Sequence, residues 1–128
     1  MPLKTISTGS RPKARNLFFW AETQNNLNLF EEWVEGELTS AEQEKLARLL
    51  RVMFSQNGPL LHPSKEKYRK EFSDIWAIKS GQIRLLGTLR SSDFYILHYL
   101  RKKTNKLSKN DRLVALSHYD KFIAEIEG

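Results

Sequence analysis

The stretch that decides the fold runs from residue 72 to residue 112 and reads FSDIWAIKSGQIRLLGTLRSSDFYILHYLRKKTNKLSKNDR. Three runs of alternating apolar and β-favouring residues, at 75–78, 83–89 and 94–100, predict three strands. The connections between the runs are short and contain the turn formers Ser, Gly and Asp. A three-stranded antiparallel meander is the simplest topology for strands joined in this way.

The segments before the meander predict one more strand and a loop. Residues 15–20 (RNLFFW) form a short aromatic run, which favours a strand that joins the meander. Residues 1–14 mix Pro, Gly, Ser and Thr with basic residues, and we expect a flexible N-terminal segment there. Residues 60–72 are rich in charge and predict a basic connecting loop with one helical turn at most. We therefore expect a single domain over residues 15–128.

Three amphipathic helices complete the predicted fold. The first covers residues 25–34 and ends before Gly36. The second begins at a capping box formed by Thr39 and Glu42, and the third follows a cap at Ser108. The element order is then β-α-α-β-β-β-α. The fold class is α+β, with a small antiparallel sheet packed against two to three helices because its apolar face must be covered.

The positive charge of the chain is concentrated in the strand region. The whole sequence has 21 Lys and Arg against 15 Asp and Glu, a formal net charge of +6. Residues 62–112 alone hold 13 Lys and Arg against 5 Asp and Glu, a net of +8. Such clustering indicates a polyanionic partner, with nucleic acid first and an acidic protein second. A solvated basic surface without a partner is the alternative.

Composition excludes several kinds of chemistry. The chain has no cysteine, which excludes disulfides, thiolate metal sites and thiol nucleophiles, and which fits a reducing, cytoplasmic location. No apolar run approaches the roughly 20 residues of a membrane span, and the N-terminus lacks the apolar core of a signal peptide. We find neither metal-ligand spacing nor a glycine-rich phosphate loop, so we expect no metal and no cofactor.

An enzyme on this chain would therefore work with Arg, Lys, Tyr and His. Metal-free cleavage of RNA fits this set, because RNA supplies its own 2′-hydroxyl nucleophile. The protein need only position the strand, move protons and neutralise the charge on phosphorus.

Arg84 is the first candidate for such a role. It lies in the middle of a predicted strand among aliphatic residues, where a guanidinium needs a partner. On an open sheet face it can bind a phosphate through two hydrogen bonds. The structural alternative is an ion pair with Glu66, Glu71 or Asp74.

His98 and Tyr99 are the candidates for proton transfer. Strand alternation predicts two faces for the last strand: Phe94, Ile96, His98 and Leu100 on one, and Tyr95, Leu97, Tyr99 and Arg101 on the other. Either His98 or Tyr99, beside several cations, is suited to proton transfer at a phosphodiester. A half-buried His98 with one hydrogen bond is the alternative without catalysis. If Arg84 marks the active face, the alternation favours Tyr99, unless the strand end twists or bulges.

Two runs in this region follow a known pattern. The first is IWAIKSGQIRLLG, residues 75–87, and the second is YILHYLRKKTNK, residues 95–106. In this order and at this spacing they resemble the RelE/ParE toxin superfamily, and most closely its HigB-like, phage-derived branch. The resemblance covers residues 60–119, about half of the chain. It implies a RelE-like fold and a toxin of a type II toxin–antitoxin system.

The resemblance also implies roles for individual residues. Arg84 matches the mid-sheet arginine that binds the scissile phosphate, and Lys102 and Lys103 match paired lysines that hold RNA. The candidate catalytic residues are then Arg84, Tyr99, His98 and Lys102, and the candidate RNA-binding residues are Lys79, Arg101, Lys103 and Lys106.

The expected function is metal-free, ribosome-dependent cleavage of mRNA, which inhibits translation. The expected partners are mRNA on the ribosome and a cognate antitoxin of the helix-turn-helix type. A gyrase inhibitor of the ParE type is one alternative on the same fold. A non-catalytic module that binds RNA or protein is another, because Lys79 and Tyr99 stand where the family pattern has Arg and Gly.

Overall fold

The computed structural model describes residues 3–6, 16–54, 68–90, 93–102 and 107–127. Its elements are β1 (Leu3–Ile6), β2 (Asn16–Trp20), α1 (Gln24–Glu32), α2 (Ser40–Phe54), β3 (Tyr68–Phe72), β4 (Ile75–Ser80), β5 (Ile83–Arg90), β6 (Asp93–Arg101) and α3 (Lys109–Glu127). A π-helical turn, Trp33–Glu37, follows α1. The α+β class is confirmed. Within the described ranges, no helix has the length and apolarity needed to cross a membrane.

The strands form one mixed sheet in the order β1-β2-β6-β5-β4-β3. The antiparallel meander β4-β5-β6 is present as predicted. The aromatic strand β2 joins it as expected, but it pairs with β6 in parallel, so the expectation of a purely antiparallel sheet is wrong. α1 and α2 lie in the chain between β2 and the meander, and they are part of the long connection that parallel pairing of β2 and β6 requires.

Two strands were missed by the sequence patterns, and the sheet is larger than expected. β1 lies in the segment expected to be flexible, and it pairs antiparallel with β2 from Leu3 to Ile6. β3 lies in the segment expected to be a loop. Its first residue, Tyr68, is buried and stacks on Trp76, whereas the next two side chains are basic and exposed. Charge on an edge strand blocks pairing with other chains, and it also hides the strand pattern.

Helices cover both faces of the sheet. On one side, the α1/α2 face, side chains of α1 and α2 pack on the strands in a core that includes Leu17, Phe19, Leu27, Phe30, Leu46, Leu50, Phe54, Ile78, Ile83, Leu85, Phe94 and Ile96. On the other side, the α3 face, Ala115 and Phe122 of α3 pack on two smaller clusters. Because both faces are covered, β5 is apolar on both, with Leu85 facing α1 and α2 and Leu86 facing α3.

The predicted helix caps are present. The Glu42 backbone N–H donates to the Thr39 hydroxyl at 3.1 Å, and the Thr39 N–H donates to the Glu42 carboxylate at 3.0 Å. At the start of α3, the Asp111 N–H donates to the Ser108 hydroxyl at 3.0 Å. Each cap satisfies backbone donors that the first helical turn leaves without partners.

A β-bulge in β6 changes which side chains face which helices. Leu86 lies opposite His98, but the next residue, Gly87, lies opposite Ile96, so Leu97 is an extra residue in β6. An extra residue reverses the alternation beyond it, because successive side chains point to opposite faces. The two faces predicted for β6 are therefore correct up to Ile96 and wrong from His98 onward.

Gly87 is required by the close approach of the chain at this bulge. A Cβ atom at Gly87 would lie 2.2 Å from the Tyr95 carbonyl oxygen and 2.6 Å from Cε1 of Phe94. We predict that Gly87→Ala lowers the free energy of unfolding by about 3 kcal/mol, the upper range for overpacking. Gly36→Ala is the control, because nothing lies within 4 Å of a Cβ there. Urea unfolding measures both variants, and equal stability of the two would contradict the prediction.

Candidate functional site

Four cations converge on the α3 face, at the end of the sheet where β4 turns into β5. Arg84 and Lys79 are direct cross-strand partners, and Lys102 follows the last residue of β6. Arg69 comes from β3, opposite Ala77. We call Arg69, Lys79, Arg84 and Lys102 the basic cluster. One carboxylate accompanies it: Glu71 accepts from Nε of Arg69 at 3.2 Å and lies 3.8 Å from Nζ of Lys79.

Arg84 has unused hydrogen-bonding capacity. Its Nη1 donates to the carbonyl oxygens of Gly81 at 2.6 Å and Ile83 at 3.0 Å. Its Nε is buried and has no acceptor within the described residues. The carboxylates proposed as structural partners are engaged elsewhere, since Glu71 binds Arg69 and Asp74 accepts from the Tyr119 hydroxyl at 3.0 Å. Glu66 lies outside the described residues.

Burial and mutual repulsion act together on the cluster. Burial lowers the pKa of Lys79, and the charges of Arg69, Arg84 and Lys102 lower it further, against the effect of Glu71. Burial also lowers the pKa of Lys102, and the charge of Arg84 adds to this. The Lys102 residue is 9 % exposed and the Lys79 side chain 10 % exposed. A bound anion would relieve this repulsion, and a lysine with a lowered pKa is better suited to exchange a proton.

His98 lies on the α3 face beyond the bulge, next to the first turn of α3. Its Nε2 is 2.9 Å from Oδ1 of Asp111. Burial lowers the pKa of His98 although Asp111 acts in the opposite direction. Burial raises the pKa of Asp111, but hydrogen bonds from His98 and Ser108 outweigh this and hold it below the ordinary value. An ionised carboxylate can only accept, so Nε2 carries the proton of the neutral ring and Nδ1 carries the lone pair.

Tyr99 and Arg101 lie on the opposite face from Arg84. The Tyr99 ring packs against Phe30 and Trp33 of α1 and the turn after it, with ring centroids 5.1 Å and 4.6 Å away. Arg101 makes a two-pronged ion pair with Glu42 at the start of α2. The bulge at Leu97 is the reason, because it directs both side chains toward α1 and α2. The inference that Tyr99 shares the face of Arg84 is therefore wrong.

The structure thus brings together Arg84, Lys79 and Lys102 of the predicted site residues. Lys103 and Lys106 lie outside the described residues. Sequence reasoning missed Arg69 and named Glu71 only as an alternative partner of Arg84, although their spacing of two in a strand was a usable signal. The fold also brings together His98 and His118 from two different elements, with ring centroids 6.5 Å apart.

Comparison with protein-family models and with curated proteins finds no match to this chain. Among the residues that the structure describes, no three His, Asp or Glu side chains are grouped so that they could hold a metal ion.

The ion pair between Arg101 and Glu42 predicts a pH-dependent contribution to stability. Hydrogen bonds from Arg101 and from the Thr39 backbone hold the pKa of Glu42 at about 2, below its ordinary 4.5. The folded state therefore favours the carboxylate, and this stabilisation is present above pH 4.5 and lost as the pH falls toward 2.

We predict that Glu42→Gln unfolds at a lower temperature than the wild type at pH 6, and that the difference shrinks steadily below pH 4.5. Glutamine keeps the capping hydrogen bond, so the variant isolates the charge. Glu44→Gln on the same helix is the control, because Glu44 is exposed and pairs with the exposed Arg48. Thermal unfolding followed by circular dichroism provides the midpoints. A difference that does not change with pH would contradict the prediction.

Proposed function

We propose that this chain is the toxin of a type II toxin–antitoxin pair and that it cuts mRNA on the ribosome without a metal ion. The observation that carries the proposal is the basic cluster around Arg84, in which four described cations have one described carboxylate, Glu71, in contact with them. The sequence runs around Arg84 and Lys102 resemble the RelE/ParE pattern, and this resemblance is the reason for proposing a toxin that cuts mRNA. The proposed partners are the mRNA strand and an antitoxin protein that covers the same basic face.

The proposed reaction needs positioning, charge neutralisation and proton transfer. The 2′-oxygen of the nucleotide before the cut attacks phosphorus and loses its proton to a base. The bond from phosphorus to the 5′-oxygen then breaks, and that oxygen takes up a proton. The products are a 2′,3′-cyclic phosphate and a free 5′-hydroxyl. Negative charge grows on the phosphoryl oxygens during the attack, so fixed cations nearby lower the barrier.

The cluster offers a group for each of these tasks. The guanidinium of Arg84 has an Nε–H without an acceptor among the described residues, and it is the proposed group that binds a phosphoryl oxygen. Lys79 and Lys102 have lowered pKa values and are the proposed proton carriers. Arg69 adds charge at the outer strand, and Lys103 and Lys106 are proposed to follow the RNA backbone. Tyr99 takes no part in the proposed chemistry, because it packs on the other face.

We predict that Arg84→Ala reduces mRNA cleavage about 10²- to 10³-fold, the usual loss for one donor to a developing oxyanion. Arg90→Ala is the matched control, because Arg90 lies on the same strand and pairs with Glu127 at the far end. Induction in a bacterial culture, with growth, translation and transcript ends measured together, tests both variants.

The same induction separates the alternative functions. Cleaved transcripts that depend on Arg84 support the proposal. A DNA-damage response with intact transcripts would contradict it in favour of gyrase inhibition. RNA binding without cleavage or growth arrest would contradict it in favour of a non-catalytic module.

The cluster also predicts the salt dependence of RNA binding. We expect Lys79→Ala to weaken single-stranded RNA binding regardless of sequence, and to reduce the slope of log affinity against log salt by about 0.7. Lys4→Ala is the control, because Lys4 is a surface cation paired with Glu31 beside α1. Fluorescence anisotropy at several salt concentrations gives the slopes. An unchanged slope for Lys79→Ala would show that RNA does not contact the cluster.

A further inference from the structure

A second concave site lies along the edge of β6 that is next to β2, whereas Arg84 is on β5, at the opposite edge of β6. β2 ends at Trp20, whereas β6 continues to Arg101, so none of the described strands lies beside β6 on that edge after Leu97. The start of α1 and the middle of α3 enclose the space that remains. The result is a cavity of about 310 Å³ that is lined by Phe19, Trp20, Asn26, His98, Tyr99 and His118 together with small apolar side chains.

The two histidines of this cavity have fixed tautomers. His98 donates from Nε2 to Asp111, which leaves the lone pair on Nδ1. His118 donates from Nδ1 to the carbonyl oxygen of Leu97 at 2.7 Å, and its Nε2 lies 4.0 Å from Oε2 of Glu22. The His98 imidazole therefore retains one acceptor, Nδ1, that these bonds do not use. The bulge residue Leu97 determines the positions of both rings. Its carbonyl oxygen orients the His118 ring, and its insertion places the His98 ring on the α3 face.

Two further polar groups are available to a ligand. The side-chain oxygen of Asn26 accepts from the Thr23 hydroxyl at 2.9 Å, but its Nδ2 donates to no described residue. The Tyr99 hydroxyl likewise has no hydrogen-bond partner among the described residues, although its ring is held by Phe30 and Trp33. The cavity thus combines aromatic walls with one imidazole acceptor, one amide donor and one hydroxyl that can donate or accept.

We propose that this cavity binds one unpaired nucleobase. Flat aromatic walls with a few hydrogen-bonding groups are how proteins hold a base whose pairing edge is free. The volume is at the lower end of ligand pockets, which span about 300–1,000 Å³, and so suits one heterocycle better than a larger ligand. The inference deepens the proposed RNA cleavage, on which it rests, by adding a site that reads a base beside the scissile phosphate.

The placement of the two sites agrees with one RNA strand. His98 and Lys102 are four residues apart on and just after β6, or roughly 13 Å at about 3.3 Å per residue. A short single strand can therefore hold a phosphate at the basic cluster and a base in the cavity. In this arrangement the base contributes specificity and the phosphate contributes the salt-dependent affinity.

Nucleotide titration of the full chain tests the site without requiring cleavage. The probes are the four nucleoside monophosphates and a four-nucleotide RNA, and the readout is the imidazole NMR signals of His98 and His118. We expect at least one monophosphate to shift these signals in the wild type. Asn26→Ala should weaken that binding about tenfold, while Asn28→Ala, an exposed position on the same helix, should bind as the wild type does.

A second pair of variants blocks the cavity by size. Val114 lines it from α3, whereas Leu113 beside it is 54 % exposed. Val114→Phe should abolish the signal shifts and Leu113→Phe should leave them. If no monophosphate moves either histidine, or if the blocking variant binds normally, the nucleobase site is overturned.

The two proposals fail in different ways. Loss of nucleobase binding with Arg84-dependent cleavage intact would overturn only the cavity. Absence of cleavage with nucleobase binding intact would overturn only the endonuclease. The RNA should bind more tightly than the monophosphate, because it also reaches the basic cluster. Equal affinities would overturn the link to RNA and assign the cavity to a free nucleotide.

Discussion

The extra residue in β6, Leu97, is the constraint on which the arrangement of this protein depends. Without it, His98 would face α1 and α2, and Tyr99 and Arg101 would face α3 and the basic cluster. With it, Arg101 reaches Glu42 at the start of α2, and His98 reaches Asp111 at the start of α3. One inserted residue therefore connects the sheet to a helix on each side. The bulge requires glycine at the opposite position, Gly87, since a Cβ atom there would collide with the Tyr95 carbonyl oxygen.

The basic cluster is electrostatically costly in the free protein. Its cations repel one another, and among the residues that the structure describes Glu71 is the one carboxylate in contact to offset them. A buried donor without an acceptor, such as Nε of Arg84, costs about 1–3 kcal/mol by itself. Arrangements that lower stability in this way are typical of sites that gain their missing partner from a ligand. The proposed ligand here is a phosphate of RNA.

The sequence predicted most of the sheet and the helices, and the reason lies in particular residues. β4, β5 and β6 are apolar runs of β-favouring residues bounded by breakers, and α2 combines a capping box with a long apolar stripe. β3 could not be recognised in the same way, because Arg69 and Lys70 replace the apolar half of its pattern. β1 is four residues long, and its exposed Leu3 and half-buried Ile6 carry no signal without β2 beside them. The bulge has no local signature at all, and so Tyr99 was assigned to the wrong face.

The candidate site was predicted only in part, because some of its residues stand out in a local sequence pattern and others do not. Arg84 stood out because it interrupts an aliphatic strand, whereas Lys79 and Lys102 were named from the resemblance to the RelE/ParE pattern. Arg69 and the histidine cavity depend on contacts between distant segments, which no pattern in one chain displays.

One spectrum tests the central claim that Arg84 is the phosphate-binding group of an RNA site. The Nε–H of Arg84 has no acceptor in the described structure, so its ¹⁵N-edited NMR signal reports directly on a new partner for the guanidinium. We predict that adding single-stranded RNA shifts this signal strongly, while the Nε–H signal of Arg101, whose Nη1 and Nη2 already donate to Glu42, stays in place. RNA that binds with the Arg84 signal unmoved, or with Arg101 moving instead, would contradict it.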